Sequence, residues 1–118
     1  MPTTTIYNRG AVVLLPFPFS DKSGSKLRPA VIVSPPFPSE DLLVLAVTSV
    51  GEALRPGEFP IGAWRQAGLL HPSFVKRALA SVSGDLVRKS LGHLHGDDLI
   101  RLDDALRLWL GLGTAGAA

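Results

Sequence analysis

The chain has 118 residues, 46% of them apolar, with twelve Lys and Arg against ten Asp and Glu for a formal charge of +2. That length carries one domain with a core of its own and excludes a multidomain enzyme; the composition excludes a disordered polymer. There is no Cys, so a disulfide framework, a thiol nucleophile and Cys-ligated zinc are excluded as well.

Ala11–Leu15 (AVVLL) is a β-favouring run that ends in Pro16-Phe17-Pro18-Phe19. Prolines cannot donate to a central ladder, so this end of the strand is expected at an edge or rim. Ser20–Leu27 is polar with Gly at its centre and reads as a mobile surface loop. Pro29–Ser34 (PAVIVS) is a second strand of the buried type, closed by Pro35-Pro36. Leu42–Thr48 (LLVLAVT) is the third and most apolar strand. Val50–Gly68 reads as a long loop with one short strand near Glu58–Ile61. Ser73–Val82 resumes β character, and Val87–Leu94 reads as a short strand or a turn and strand.

From Asp97 onward, Leu99, Leu102, Leu106, Trp109 and Leu110 recur at helical spacing. Asp97 with Arg101 and Asp103 with Arg107 are expected as i,i+4 pairs on the polar side. Gly111 and Gly113 end the helix, and residues 113–118 are expected to form a flexible tail behind a single domain spanning 1–112. The expected fold is mainly β (α+β): a small twisted barrel or sandwich with a C-terminal helix across it.

Charge is uneven. Residues 1–95 carry +4 and residues 96–118 carry −2. A basic body favours a polyanionic partner such as nucleic acid, though +4 is a modest signal. No apolar run approaches the ~20 residues that cross a bilayer, and Met1–Gly10 has no apolar leader core, so a cytoplasmic protein without membrane contact is expected.

Lys26-Leu27-Arg28-Pro29 is the most unusual local composition. Pro29 forces Arg28 into extended backbone where a flexible loop meets a strand. A guanidinium there can donate two parallel bonds to a phosphate, or it can simply pair with a carboxylate or stay in solvent. Thr48-Ser49 closes the most apolar strand, where hydroxyls can donate to an anionic oxygen or bond nearby backbone. Phe17 and Phe19 can offer a stacking platform for a base, or lie in the core. His93 and His95 share spacing i,i+2 but lack further ligands for a metal, and His71 reads as a surface loop residue. There is no HExxH, GxSxG, Walker or dinucleotide motif. No cofactor is expected.

Taken in order, Arg9–Asp21 (RGAVVLLPFPFSD) with Ser23–Val33 (SGSKLRPAVIV) closely resembles the opening of the MazF/PemK toxins of type II toxin–antitoxin systems. Leu45–Ser49 (LAVTS), Gly68–Lys76 (GLLHPSFVK), Leu91–Leu94 (LGHL) and the final helix resemble its later motifs, more loosely. The likeness is collinear from about Arg9 to Gly111.

The resemblance implies an SH3-like barrel of the MazF/CcdB type, a homodimer, and an mRNA interferase that cuts single-stranded RNA without a metal. It implies an essential Arg in the Lys-x-Arg-Pro motif, here Arg28, and a hydroxyl partner, here Thr48. Lys26, Ser49, Phe17, Phe19, Ser20 and Lys76 would bind substrate, and a cognate antitoxin would cover the RNA groove. Cutting RNA through its own 2′-hydroxyl requires removal of that proton and stabilisation of charge on the phosphoryl oxygens. Arg28 suits the second task; an arginine's ordinary pKa makes it a poor base.

One departure stands out. Several family members pair an Arg with an Asp two residues later on the strand corresponding to Phe74–Ala80, which here reads FVKRALA and has no acid. Either another group handles the proton or the activity is altered; alternatively Lys76 and Arg77 are solvated cations on an edge strand. Two other functions are kept beside the nuclease: a non-enzymatic toxin resembling the CcdB gyrase poisons, and an RNA-binding relic without turnover. Open sheet edges and apolar excess also give a physical motive for a two-fold dimer.

Overall fold

The computed structural model describes residues 6–17, 26–37, 41–51 and 53–113. They form six strands and one helix: β1 (Ala11–Pro16), β2 (Leu27–Ile32), β3 (Asp41–Thr48), β4 (Phe59–Pro60), β5 (Phe74–Ser83), β6 (Lys89–His93) and α1 (Gly96–Leu110), with a short 3-10 turn at Gly84–Leu86. The strands make one antiparallel sheet in the order β4-β5-β3-β2-β1-β6, curled into a half-barrel. The expected mainly β fold with a C-terminal helix is what the chain adopts.

Both faces are buried over β1 and over the paired parts of β2 and β3, which explains why these read as near-continuous apolar runs, whereas β5 alternates between buried and exposed residues. Val12, Val31, Leu45, Val47 and Val75 pack on one face with Leu102 and Ala105 of α1. Val13, Ala30, Ile32, Val44 and Ala80 pack on the other with Leu15 and Phe17. We refer to these as the helix face and the far face.

Prolines set where the sheet opens. Pro16 pairs with Leu27 of β2, but the β1–β6 pairs reach only Leu14, so its missing N–H lies beyond the reach of β6. Pro29 sits in a central strand. Its β1 partner is Leu14, yet the β2–β3 pairs begin only at Ala30 opposite Ala46 and run to Ile32 opposite Val44. The first half of β2 is therefore bound to β1 alone, while β3 continues to Thr48 bound to β5 alone.

The helix stacks Leu102 and Ala105 into the core, with Leu99, Leu106 and Trp109 partly buried beside them. Leu110 corrects the periodicity reading. It is 52% exposed, because the apolar stripe has turned away from the sheet by the last helical turn. The expected i,i+4 ion pairs are also corrected. Arg101 binds Asp98 and Arg107 binds Asp104 at i,i+3 spacing, and Asp103 binds Arg9. Asp98 is buried, and its carboxylate accepts the N–H groups of Gly62 (2.8 Å) and Ala63 (2.9 Å) as well as the Arg101 guanidinium (3.0 Å). It thus ties the turns at 62–68 to the first turn of α1.

Gly68 and Gly92 let two backbones touch: a Cβ on Gly68 would lie 1.9 Å from the Leu91 carbonyl oxygen. Gly111, in the left-handed region, ends the helix as expected, and Leu112 N–H returns to the Arg107 carbonyl. Among the described residues no helix is long and apolar enough to cross a membrane.

Candidate functional site at the open end of the sheet

Extending the β2–β3 register by two residues past Ala30 and Ala46 brings Arg28 level with Thr48. Strand alternation puts both on the far face, two residues from Ala30 and Ala46 respectively, whose side chains belong there. Because the ladder has already stopped, the two residues stand on opposite lips of a notch in the sheet. Among the described residues Arg28 pairs with no carboxylate. Arg28 is half-buried, and a guanidinium at such a strand start can take an anion from outside.

Thr48 does what a strand-end hydroxyl commonly does, accepting the Val50 N–H at 3.2 Å. This bond uses an oxygen lone pair and leaves the hydroxyl proton to be donated, while fixing where the oxygen sits. The turn-forming and anion-donating readings of Thr48 are thus compatible in one geometry. Ser49 follows in an exposed bend, and Lys26 stands exposed immediately before β2.

Lys76 joins the same face from β5. Val75 pairs with Val47 on the helix face, so the residue after Val75 points to the side of Thr48. The Lys76 ammonium is not a free surface cation: its Nζ binds Glu58 Oε1 at 3.0 Å. Glu58 is the partner of Lys76 that the sequence reading missed. It precedes β4, and its side chain is 2% exposed. Oε1 also accepts the Arg55 N–H at 2.8 Å, and Oε2 accepts the Arg77 N–H at 2.9 Å. β5 has no acid between Phe74 and Ala80, and the Lys76 ammonium meets one from the neighbouring segment instead. The available signal was alternation: in Glu58-Phe59-Pro60-Ile61 the apolar Phe59 and Ile61 turn to the core and send Glu58 to the other side.

Burial pushes the Glu58 carboxyl upward, but the N–H groups of Arg77 and Arg55 and the Lys76 ammonium outweigh it and hold the group below its ordinary value. It stays ionised, with three donors upon it. This makes it an anchor rather than a proton acceptor.

Phe17 requires a correction. It is 3% exposed within the far-face core and offers no exposed ring for stacking a base. The far face is apolar, and a large ring beside Leu15 gains more from burial there than from water. Phe19, Ser20 and most of the Ser20–Leu27 loop lie outside the described residues. Among the described residues no group of three His, Cys, Asp or Glu is arranged to hold a metal ion.

Comparison with known proteins settles the family. Residues 8–110 match the model of the "PemK-like, MazF-like toxin of type II toxin-antitoxin system". The chain belongs to that family. No curated protein matches the sequence. Among solved structures, an endoribonuclease in complex with its cognate antitoxin from a Mycobacterial species is similar over 92% of this chain and 98% of its own, with TM-score 0.73 and 20% identity. MazF from Deinococcus radiodurans is similar over 92% and 99%, with TM-score 0.72 and 23% identity. The MazE–MazF complex from the same organism matches at 92% and 100%, with TM-score 0.70 and 19% identity. At these identities the likeness shows a shared fold. The nearly complete coverage on both sides shows that this PemK-like chain and those structures are built to the same extent.

Proposed function

We propose that this PemK-like chain is the toxin of a type II pair and acts as a metal-independent endoribonuclease on single-stranded RNA, mRNA included, so arresting translation. The observation that carries the reading is the placement of Arg28 and Thr48 on one face, across a notch where no β2–β3 ladder fills the space.

A phosphodiester seated at the notch receives the Arg28 guanidinium on its phosphoryl oxygens and the Thr48 hydroxyl on one of them. The ribose 2′-oxygen attacks phosphorus while the bond from phosphorus to the 5′-oxygen breaks. The 2′-hydroxyl proton passes to solvent, the leaving 5′-oxygen takes one up, and the products are a 2′,3′-cyclic phosphate and a 5′-hydroxyl. Charge builds on the phosphoryl oxygens in the transition state, and donors already in place there lower the barrier. DNA lacks the nucleophile and is not cut. Lys26, Ser49 and Lys76 flank the notch and hold neighbouring phosphates.

The similar toxin structures solved with antitoxins support a cognate antitoxin as partner. A homodimer is the assembly that the open sheet edges and exposed apolar side chains favour. The test is incubation of the purified protein in EDTA with an RNA oligonucleotide and with copies carrying single 2′-deoxy substitutions. Cleavage that stops when the deoxy sugar lies 5′ to the scissile phosphate is expected. RNA binding without cleavage would show a relic, and topoisomerase poisoning with RNA intact would show a gyrase-directed toxin.

A further inference from the structure

β5 carries an irregularity next to the site. Between Val75 opposite Val47 and Leu79 opposite Leu45, β3 has only Ala46 while β5 has Lys76, Arg77 and Ala78. Two extra residues bulge from the strand, and a bulge frees backbone N–H groups from the ladder and re-aims side chains. Here the Arg77 N–H goes to Glu58 Oε2, and the Lys76 ammonium goes to Glu58 Oε1. Glu58 itself is held in a turn, its own N–H reaching the Arg55 carbonyl and its Oε1 taking the Arg55 N–H. That turn is held in its place by α1, because the Trp109 indole donates to the Pro56 carbonyl at 2.8 Å.

The geometry points to Glu58 as a positioning residue for RNA binding: it holds Lys76, and the bulge that presents Lys76, so that the ammonium meets a phosphate beside the Arg28–Thr48 notch. This rests on the ribonuclease reading above. An ammonium has three N–H bonds, and Glu58 takes one at 3.0 Å. The Lys76 side chain remains 31% exposed, so the other N–H bonds stay open to a ligand. A lysine free in solvent loses side-chain freedom when it binds a phosphate; Lys76 has lost that freedom already on folding. The direction of the effect is unusual. Removing an acid near a polyanion site ordinarily tightens binding, whereas removing this one weakens it.

The experiment uses the full chain as wild type, Glu58→Gln, Lys76→Ala and the double variant. Binding of a single-stranded mixed-sequence 2′-O-methyl oligonucleotide is titrated at several salt concentrations, and steady-state cleavage of the ribo version is measured. Lys76→Ala is expected to weaken binding about tenfold and to lower the salt slope by about one. Glu58→Gln is expected to weaken binding about fivefold and raise KM similarly, with kcat within about twofold, and to reduce the further cost of Lys76→Ala to less than about twofold. Equal or tighter binding by a folded Glu58→Gln protein, or an undiminished Lys76→Ala effect in its background, overturns the inference while leaving the nuclease reading intact. If the wild type neither binds nor cuts RNA, both fail together. Should Glu58→Gln not fold, acylation of the wild type with and without the bound 2′-O-methyl oligonucleotide, mapped by mass spectrometry, decides: Lys76 slowed at least about fivefold further by the oligonucleotide while Lys89 is unchanged supports the inference, and a Lys76 rate that the oligonucleotide does not alter overturns it.

Discussion

Arg28 and Thr48 stand level on the far face of the sheet at the point where the β2–β3 ladder has ended. One residue accounts for both halves of that relationship. Pro29 has no N–H to offer β3, and its ring holds the preceding Arg28 in extended backbone. The same proline thus ends the β2–β3 ladder and sets the extended backbone from which Arg28 projects.

Replacing Arg28 with Ala should abolish detectable cleavage, a loss of at least about 10²-fold, as removal of one preorganised charge stabiliser does. Folding should barely respond, because the guanidinium pairs with no carboxylate among the described residues. Thermal unfolding should move by less than about 2 °C, reflecting a change within about 0.5 kcal/mol. A large fall in unfolding temperature would make Arg28 a structural residue instead.

At Thr48 the separation is between hydroxyl and shape. Thr48→Val keeps the branched β-strand side chain but removes both the donor and the acceptor for Val50 N–H. Cleavage should fall about 10²-fold while Thr48→Ser keeps within about tenfold of wild type. Equal activity of the Val and Ser variants would remove the hydroxyl from the mechanism.

Acid should weaken the fold partly through Glu58. Its carboxyl lies below the ordinary value of 4.5 in the folded protein, so the stabilisation it contributes is full above that value. It is lost as pH falls from there through the lower folded-state value. Denaturant titrations from pH 6 to 2 should show wild type losing more stability over that range than Glu58→Gln. Parallel curves for the two proteins would contradict this.

Gly57 is a sensitive point of the turn that carries Glu58. Its φ is +88°, and an added Cβ would lie 2.5 Å from the Trp109 indole nitrogen, which donates to the neighbouring Pro56 carbonyl. Gly57→Ala should cost about 1–3 kcal/mol through strain and displacement of the indole. Trp109→Phe, which loses the hydrogen bond and part of the packing of the indole, should cost about 1–2 kcal/mol. Chemical denaturation measures both, and a neutral Gly57→Ala would show the turn to be freer than its contacts indicate.

Asp98 holds the turns at 62–68 to α1, and its removal strands two backbone donors. Asp98→Ala should destabilise by about 2–4 kcal/mol, with Gly62 and Ala63 N–H groups left unpaired. Faster hydrogen exchange at those two amides is the accompanying signature; unchanged protection there would argue that the turns hold themselves.

Much of this molecule is legible in the bare chain, since strands and helices answer to local periodicity and to prolines. Ala11–Leu15 and Leu42–Thr48 form strands within a residue of where their apolar runs lie, and Gly111 stops the helix. The Lys26–Pro29 and Thr48-Ser49 motifs locate the two lips of the candidate site for the same reason. Tertiary structure decided the rest. Whether Phe17 stacks or packs, that Asp103 binds Arg9, and that Glu58 reaches Lys76 are settled by partners distant along the chain. A sequence pattern records the periodicity of each strand and helix. The pairing of a buried carboxylate is determined by which donors the folded sheet brings within hydrogen-bonding distance, and local pattern holds no trace of that.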